Sequence, residues 1–330
     1  MDGTQLAKTA AMPMRVSASE LVCDHDPSIG WTVALAGGEG LRLQEYVTQR
    51  FGHRMPKQYC PLLGPRTMLE QTLERMNALA PPSRTITVIG SEHAEWARPQ
   101  LAGRSDHVFC QPASRDTGTA LYVALAMIMR WHPNAIVTIT PTDHHIAPAD
   151  RFLDAVSTAR SIADRLRDRV VLLGVAPTRP DPELGYVVLG PAIPEAPAVR
   201  EITAFIEKPA PHSAAELASA GALWSTMVMS GSLTALWELG RAAAPRMLEV
   251  LDMLVPLIGT VDEDDAIDYV YRAYRPLSFS RDICERASDR IFAMPIVDVE
   301  WSDCGKPEAI ERVRERTNAR PIAHEHRELL

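Results

Sequence analysis

Leu35-Ala36-Gly37-Gly38-Glu39-Gly40-Leu41-Arg42-Leu43, with Pro56-Lys57-Gln58 downstream, is the stretch from which the chain is best understood. It follows an apolar β-like run over 31–36, so the glycines fall where a first strand turns out of a sheet. Three glycines in four positions let backbone N–H groups approach a ligand with no Cβ in the way. Donors curled in this manner form an anion-binding concavity suited to phosphate. Arg42 adds a planar fork of donors and Lys57 a point charge. Two other glycine-rich motifs are excluded. The dinucleotide fingerprint fails at Leu43, where it requires glycine, which argues against a nicotinamide-dependent oxidoreductase. The P-loop ending Gly-Lys-Ser/Thr does not occur.

Outward from this loop, short β-branched runs at 31–36, 85–89, 108–110, 135–140 and 170–175 alternate with helical patterns at 68–79, 117–131 and 152–166. That alternation predicts an α/β fold: a Rossmann-like, mainly parallel mixed sheet flanked by helices. Ligands in such sheets bind beyond the carboxyl ends of strands, where both the glycine loop and Pro141-Thr142-Asp143-His144 fall. Prolines then punctuate short strands at 186–189 and 199–207, predicting a smaller antiparallel insertion over about 177–230. Helical stretches are expected from Leu233, Arg246, Asp264 and Ser280, a last strand over 291–299, and a final helix from Pro307 to about Arg316. The expected organisation is a polar N-terminal extension over 1–30, one catalytic domain over 31–310, and a helix end with tail over 311–330.

Composition narrows the function. A net charge of −8 without a Lys/Arg-rich run argues against nucleic acid or an anionic membrane as partner. Cys23, Cys60, Cys110, Cys284 and Cys304 form no C-x-x-C pair, so buried free thiols are expected, not zinc or disulfides. Residues 1–30 lack an apolar secretory core, and no run is long enough to span a membrane. The expected location is the cytoplasm.

With Arg115-Asp116-Thr117, Pro141-Thr142-Asp143-His144, Gly185-Tyr186, Phe205-Ile206-Glu207-Lys208-Pro209, Leu223-Trp224 and Trp301-Ser302-Asp303-Cys304-Gly305, the glycine loop and Pro56-Lys57-Gln58-Tyr59 complete an ordered series of motifs. Over about 31–310 the chain resembles the sugar-phosphate nucleotidyltransferases, and within them the mannose-1-phosphate guanylyltransferases. The resemblance implies that a nucleoside triphosphate, GTP first, is joined to a sugar 1-phosphate, mannose 1-phosphate first. It implies nucleotide contacts from Leu35, Gly37, Gly38, Gly40, Arg42, Lys57, Arg115, Asp116 and Thr117, and substrate contacts from Gly185, Tyr186, Glu207, Lys208 and Ser225. Arg42, Lys57, Asp143 and Asp303 become the catalytic set, with Asp143 and Asp303 sharing Mg²⁺. A homodimer is one candidate assembly.

Each residue has a plainer rival role. Asp143 and Asp303 could cap helices, and Asp116 could cap the helix near Thr117 instead of accepting the two N–H donors of guanine. His144 and His145 are expected to have structural or surface roles, and Trp224 to be core. The resemblance also frays. Val187-Val188 stands where the family repeats Gly-Tyr, and Ser225-Thr226-Met227-Val228 where it has Asn-Ser-Gly-Met. The phosphate apparatus is therefore better supported than mannose specificity. Another hexose 1-phosphate, an unusual phosphorylated acceptor and a silent nucleotide-sugar-binding regulator are the alternatives. No further domain motif follows, so a transferase domain alone is expected.

Overall fold

Residues 29–317 are described by the structure, a computed structural model. The predicted extension, up to residue 28, Cys23 within it, and the tail from 318 lie outside the described residues. Gly30–Ala36 (β1), Thr85–Gly90 (β2), His107–Gln111 (β3) and Ile136–Pro141 (β4) form the parallel half of a nine-stranded sheet. After the short strand His145–Ala147 (β5), the other half comprises Val170–Val175 (β6), Gly185–Ile193 (β7), Ala196–Glu207 (β8), Leu223–Ser232 (β9) and Ile291–Ile296 (β10). The order is β3-β2-β1-β4-β9-β6-β10-β8-β7. β9 enters antiparallel between β4 and β6, and the β7–β8 hairpin adds antiparallel beyond β10. An extra β7–β9 pairing at Tyr186↔Trp224 returns the second half of the sheet on itself.

Strand faces are read with period two, although several strands are apolar throughout. Val170 and Leu172 of β6 join one core, while Val171, Leu173 and Val175 join the other. The first core lies under the helix Asp116–Trp131, whose residues 118–128 are all buried, and under 233–243, 245–254 and 263–273. A helix apolar on every side can only sit between layers, and this one does. The second core is covered by the amphipathic helix Ala149–Arg165, which buries Phe152, Val156, Ala159, Ile162 and Ala163.

β9 as a continuous strand was not anticipated, because its Ser-Thr-Met-Val-Met-Ser-Gly-Ser run lacks an apolar pattern. Its hydroxyls are buried but satisfied. Thr226 Oγ1 donates to the Leu173 carbonyl at 2.7 Å, Ser232 Oγ to that of Arg167 at 2.7 Å, and Ser230 Oγ lies 3.0 Å from Thr138 Oγ1. Burying these groups costs little once each is paired. Cys60, Cys284 and Cys304 are buried free thiols as expected, but Cys110 on the edge strand β3 is exposed. No helix among the described residues is long and apolar enough to cross a membrane.

Candidate active site

The glycine loop leaves β1 and is fastened from behind. Gln58 Nε2 donates to the carbonyls of Ala36 and Gly38, each at 2.8 Å, and the Tyr59 hydroxyl donates to Ala36 at 2.8 Å. Both side chains are buried, so they hold the loop carbonyls inward and leave its outer face to a ligand. Gly40 adopts φ 62°, a left-handed turn that glycine accepts without strain, and the chain enters the 3-10 turn carrying Arg42. Sequence reading valued Lys57 in this motif. The anchoring work of Gln58 and Tyr59 emerges only from the fold.

Asp143 and Asp303 are brought together by a two-stranded ribbon. β5 begins two residues after Asp143, and Glu300–Ser302 (β11) ends one residue before Asp303. The two strands pair antiparallel, with His145 opposite Ser302. Lys57 bridges the result. Its buried ammonium lies 3.1 Å from Asp143 Oδ2 and donates to the Asp303 carbonyl oxygen. Arg42 Nη2 lies 3.8 Å from Asp303 Oδ2, while Nη1 pairs with Glu183 Oε2 at 3.2 Å, a partner no motif announced. Gly305 makes this approach feasible: a Cβ there would stand 2.4 Å from Asp303 Oδ2 and 2.8 Å from Arg42 Nη2.

The electrostatics follow from these contacts. Burial acts to raise the Asp143 carboxyl, but Lys57 and His144 outweigh it, and the group lies below the usual range. Trp301 Nε1 donates to His144 Nδ1 at 3.3 Å, which puts the proton of the neutral ring on Nε2, the nitrogen 3.6 Å from Asp143 Oδ1. Burial lowers the His144 pKa and so favours that neutral ring. His144 thus packs between Trp301 and Asp143.

A cavity of about 380 Å³ opens beside this cluster. Leu35, Gly37, Gly38, Asp116, Thr117, Asp143, Glu207 and Lys208 line it, so eight of the anticipated residues share one wall system. Burial raises the Glu207 carboxyl, against the pull of neighbouring Lys208, whose ammonium is 3.9 Å away. Gln111, Met227, Ser278, Ser280 and Arg281 also line the cavity and were not anticipated. Ser278, Ser280 and Arg281 come from the segment entering a π-helical turn, a conformation without a sequence signature. Backbone strain marks the same region. Asp116, Lys208, Met227 and Cys304 all have φ between 48° and 60°, and such residues cluster at functional sites.

Eight anticipated residues lie outside that lining; Gly40, Arg42, Lys57 and Asp303 belong to the loop and cluster beside it, and the other four are placed as follows. Tyr186 is fully buried in the second core, and its hydroxyl accepts the Asp181 N–H at 2.9 Å instead of lining the cavity. Ser225 is buried too, its hydroxyl accepting the Met227 N–H at 3.2 Å, so Met227 and not Ser225 reaches the cavity wall. Arg115 precedes the helix and accepts the Leu277 N–H on its carbonyl at 3.1 Å, outside the cavity lining. Side-chain direction within a motif depends on the surrounding pairing, which spacing does not reveal. Gly185 starts β7 opposite Glu207. Asp116 lines the cavity at the start of the helix, and its Oδ1 accepts the N–H of the adjacent Thr117 at 2.6 Å. Trp224 is core, with the Arg179 guanidinium 5.4 Å above its ring.

A profile of the nucleotidyl transferase family matches residues 31–320. The chain belongs to that family. Mannose-1-phosphate guanylyltransferase ManC of Salmonella typhimurium is 28% identical over 316 residues, covering 89% of this chain and 61% of the relative. Alginate biosynthesis protein AlgA of Pseudomonas fluorescens is 30% identical over 200 residues, or 59% of this chain and 40% of that protein. The chain thus spans less than two thirds of the length of these relatives. The crystal structure of mannose-1-phosphate geranyltransferase from Thermus thermophilus shares the fold at TM-score 0.74 and 29% identity, covering 86% of this chain and 78% of that one. The family and the fold agree: a mainly parallel α/β architecture like that of this structure.

Proposed function

We propose that this chain joins a nucleoside triphosphate to a sugar 1-phosphate, with GTP and mannose 1-phosphate as first candidates. The observation that carries the reading is the convergence of Lys57, Asp143, Asp303 and Arg42 through the β5–β11 ribbon at the end of the glycine loop. The name of the Salmonella relative supports the choice of base and sugar, and that of the Thermus structure the choice of sugar phosphate.

In this reaction an oxygen of the sugar phosphate attacks the α-phosphorus. The bond from that phosphorus to the bridging oxygen breaks, and pyrophosphate leaves with the electron pair. Two anions must meet, so the protein works by positioning and charge neutralisation. The glycine-loop N–H groups and Arg42 hold the triphosphate, Lys57 faces the reacting α-phosphate, and Lys208 holds the sugar phosphate. Before ligand arrives, three of these cations have carboxylate partners within reach, Arg42 with Glu183, Lys57 with Asp143 and Lys208 with Glu207. Phosphate binding therefore exchanges partners and adds no bare charge.

Asp143 and Asp303 fit Mg²⁺ in donor chemistry: both carry carboxylates, and Lys57 ties them together through the Asp143 carboxylate and the Asp303 backbone carbonyl. Among the described residues no group of three His, Cys, Asp or Glu side chains could hold a metal, so the two carboxylates would share the ion with oxygens from outside that set. The ion, when bound, supplies charge neutralisation between the phosphates. Asp116 and Gln111 face the base from the cavity wall, Asp116 offering a carboxylate to guanine's paired N–H donors. Pyrophosphate release across the four ribonucleoside triphosphates and dTTP, against a panel of sugar 1-phosphates, tests the reading. Release with GTP and mannose 1-phosphate supports it, and silence across the panel refutes it.

A further inference from the structure

Among the described residues, Met227 is the one lining this cavity that is both apolar and held at a backbone angle suited to glycine, with φ 57°. A left-handed L-residue persists only where its surroundings over-determine it. Here they do. The Met227 N–H donates to Ser225 Oγ and the Val228 N–H to Thr226 Oγ1, each at 3.2 Å, while Thr226 Oγ1 donates to the Leu173 carbonyl at 2.7 Å. Ser225 and Thr226 are buried, and β9 is clamped between β4 and β6 just beyond. The turn is thus built to present position 227 to a cavity whose other walls carry Glu207, Lys208, Ser280 and Arg281.

From this geometry we infer that Met227 determines acceptor specificity, giving the sugar pocket an apolar wall that selects a deoxy or methyl-bearing sugar 1-phosphate over a fully hydroxylated one. The inference rests on the nucleotidyl-transfer reading above. A thioether offers almost nothing to a hydroxyl, so a hydroxyl buried against it loses its water without gaining a partner. The same surface fits a methyl or methylene closely, and the flexible side chain adapts to it. An apolar wall rejects an added hydroxyl only moderately, by about 10- to 100-fold. Lys208 and Arg281, which line the same cavity, hold the phosphate in either case.

The test compares kcat/KM for mannose 1-phosphate and its monodeoxy analogues, with GTP and Mg²⁺, in the wild type, Met227→Gly and Met227→Gln. The wild type should favour at least one deoxy analogue by about tenfold. Met227→Gly, at a backbone angle glycine accepts, should bring that ratio near one by gaining on the parent sugar. Met227→Gln keeps the length, adds an amide, and should favour the parent. It carries the test should the glycine variant fail to fold. Turnover with the same ratio in wild type and the folded variants, or a wild type that prefers the parent to every analogue, overturns the inference alone. No pyrophosphate from any of the proteins with any acceptor overturns the nucleotidyl-transfer reading and the inference with it.

Discussion

Replacing Lys57 by alanine probes the centre of the arrangement. The ammonium touches two parts of the site at once, the Asp143 carboxylate at 3.1 Å and the Asp303 carbonyl oxygen. Its loss should lower kcat by about 100- to 1,000-fold, the usual effect of deleting a group that stabilises transition-state charge, or about 2.7–4 kcal/mol. KM for either substrate should move less, because the lost contact belongs to the transition state. A second effect follows from Asp143. Removing one partner of a fully buried ion pair costs about 3–5 kcal/mol, and partial exposure reduces this to about 1–3 kcal/mol here. The Asp143 side chain is 31% exposed, which justifies the reduction.

The cost should depend on pH with a definite sign. In the wild type the Asp143 carboxyl lies below its ordinary value, so its stabilising contribution is present above the unfolded pKa and is lost as pH falls through the folded one. Without Lys57, burial, the largest single influence on the group, pushes the carboxyl upward. The melting-temperature gap between wild type and Lys57→Ala should therefore be widest at neutral pH and narrow through the carboxylate range. Stopped-flow or coupled pyrophosphate assays give kcat, and calorimetry from about pH 3 to 8 brackets the ordinary carboxylate pKa of about 3.9. A kcat within about tenfold of wild type, with a gap independent of pH, would refute the assigned role of Lys57.

Three further outcomes are expected. Asp143→Asn and Asp303→Asn should each reduce turnover by about 100-fold or more, and EDTA should abolish wild-type activity; full activity under any of these conditions counts against a shared metal. Lys208→Ala should chiefly raise the acceptor KM, separating it from Lys57 by kinetic pattern, and identical patterns in the two variants would show the division of roles to be mistaken. Glu183→Gln frees Arg42 from an exposed 3.2 Å pair and should tighten nucleotide binding by no more than about fivefold, since such pairs are worth about 0–1 kcal/mol. Titration calorimetry with GTP measures it, and weaker binding would mean that Glu183 holds Arg42 in place for the nucleotide.

Much of this protein was legible before its fold. The strands at 85–90 and 170–175 and the helices at 116–131 and 149–165 are long or strongly patterned, and local preference and burial agree in them. The phosphate loop was legible because glycine spacing is a backbone property, carried by the chain itself. What tertiary structure decided lies where polar residues are buried or where distant segments meet. β9 carries no strand pattern in the sequence because its serines and threonines are paired only once β4 and β6 flank it. Met227 lines the cavity where Ser225 is anticipated, because the hydroxyl of Ser225 is engaged in a left-handed turn. Asp143 and Asp303 meet because three residues on each side pair as β5 and β11, a contact across 160 positions that no local preference encodes. Motifs carry the chemistry that a chain can perform, and non-local pairing sets the direction in which each side chain points.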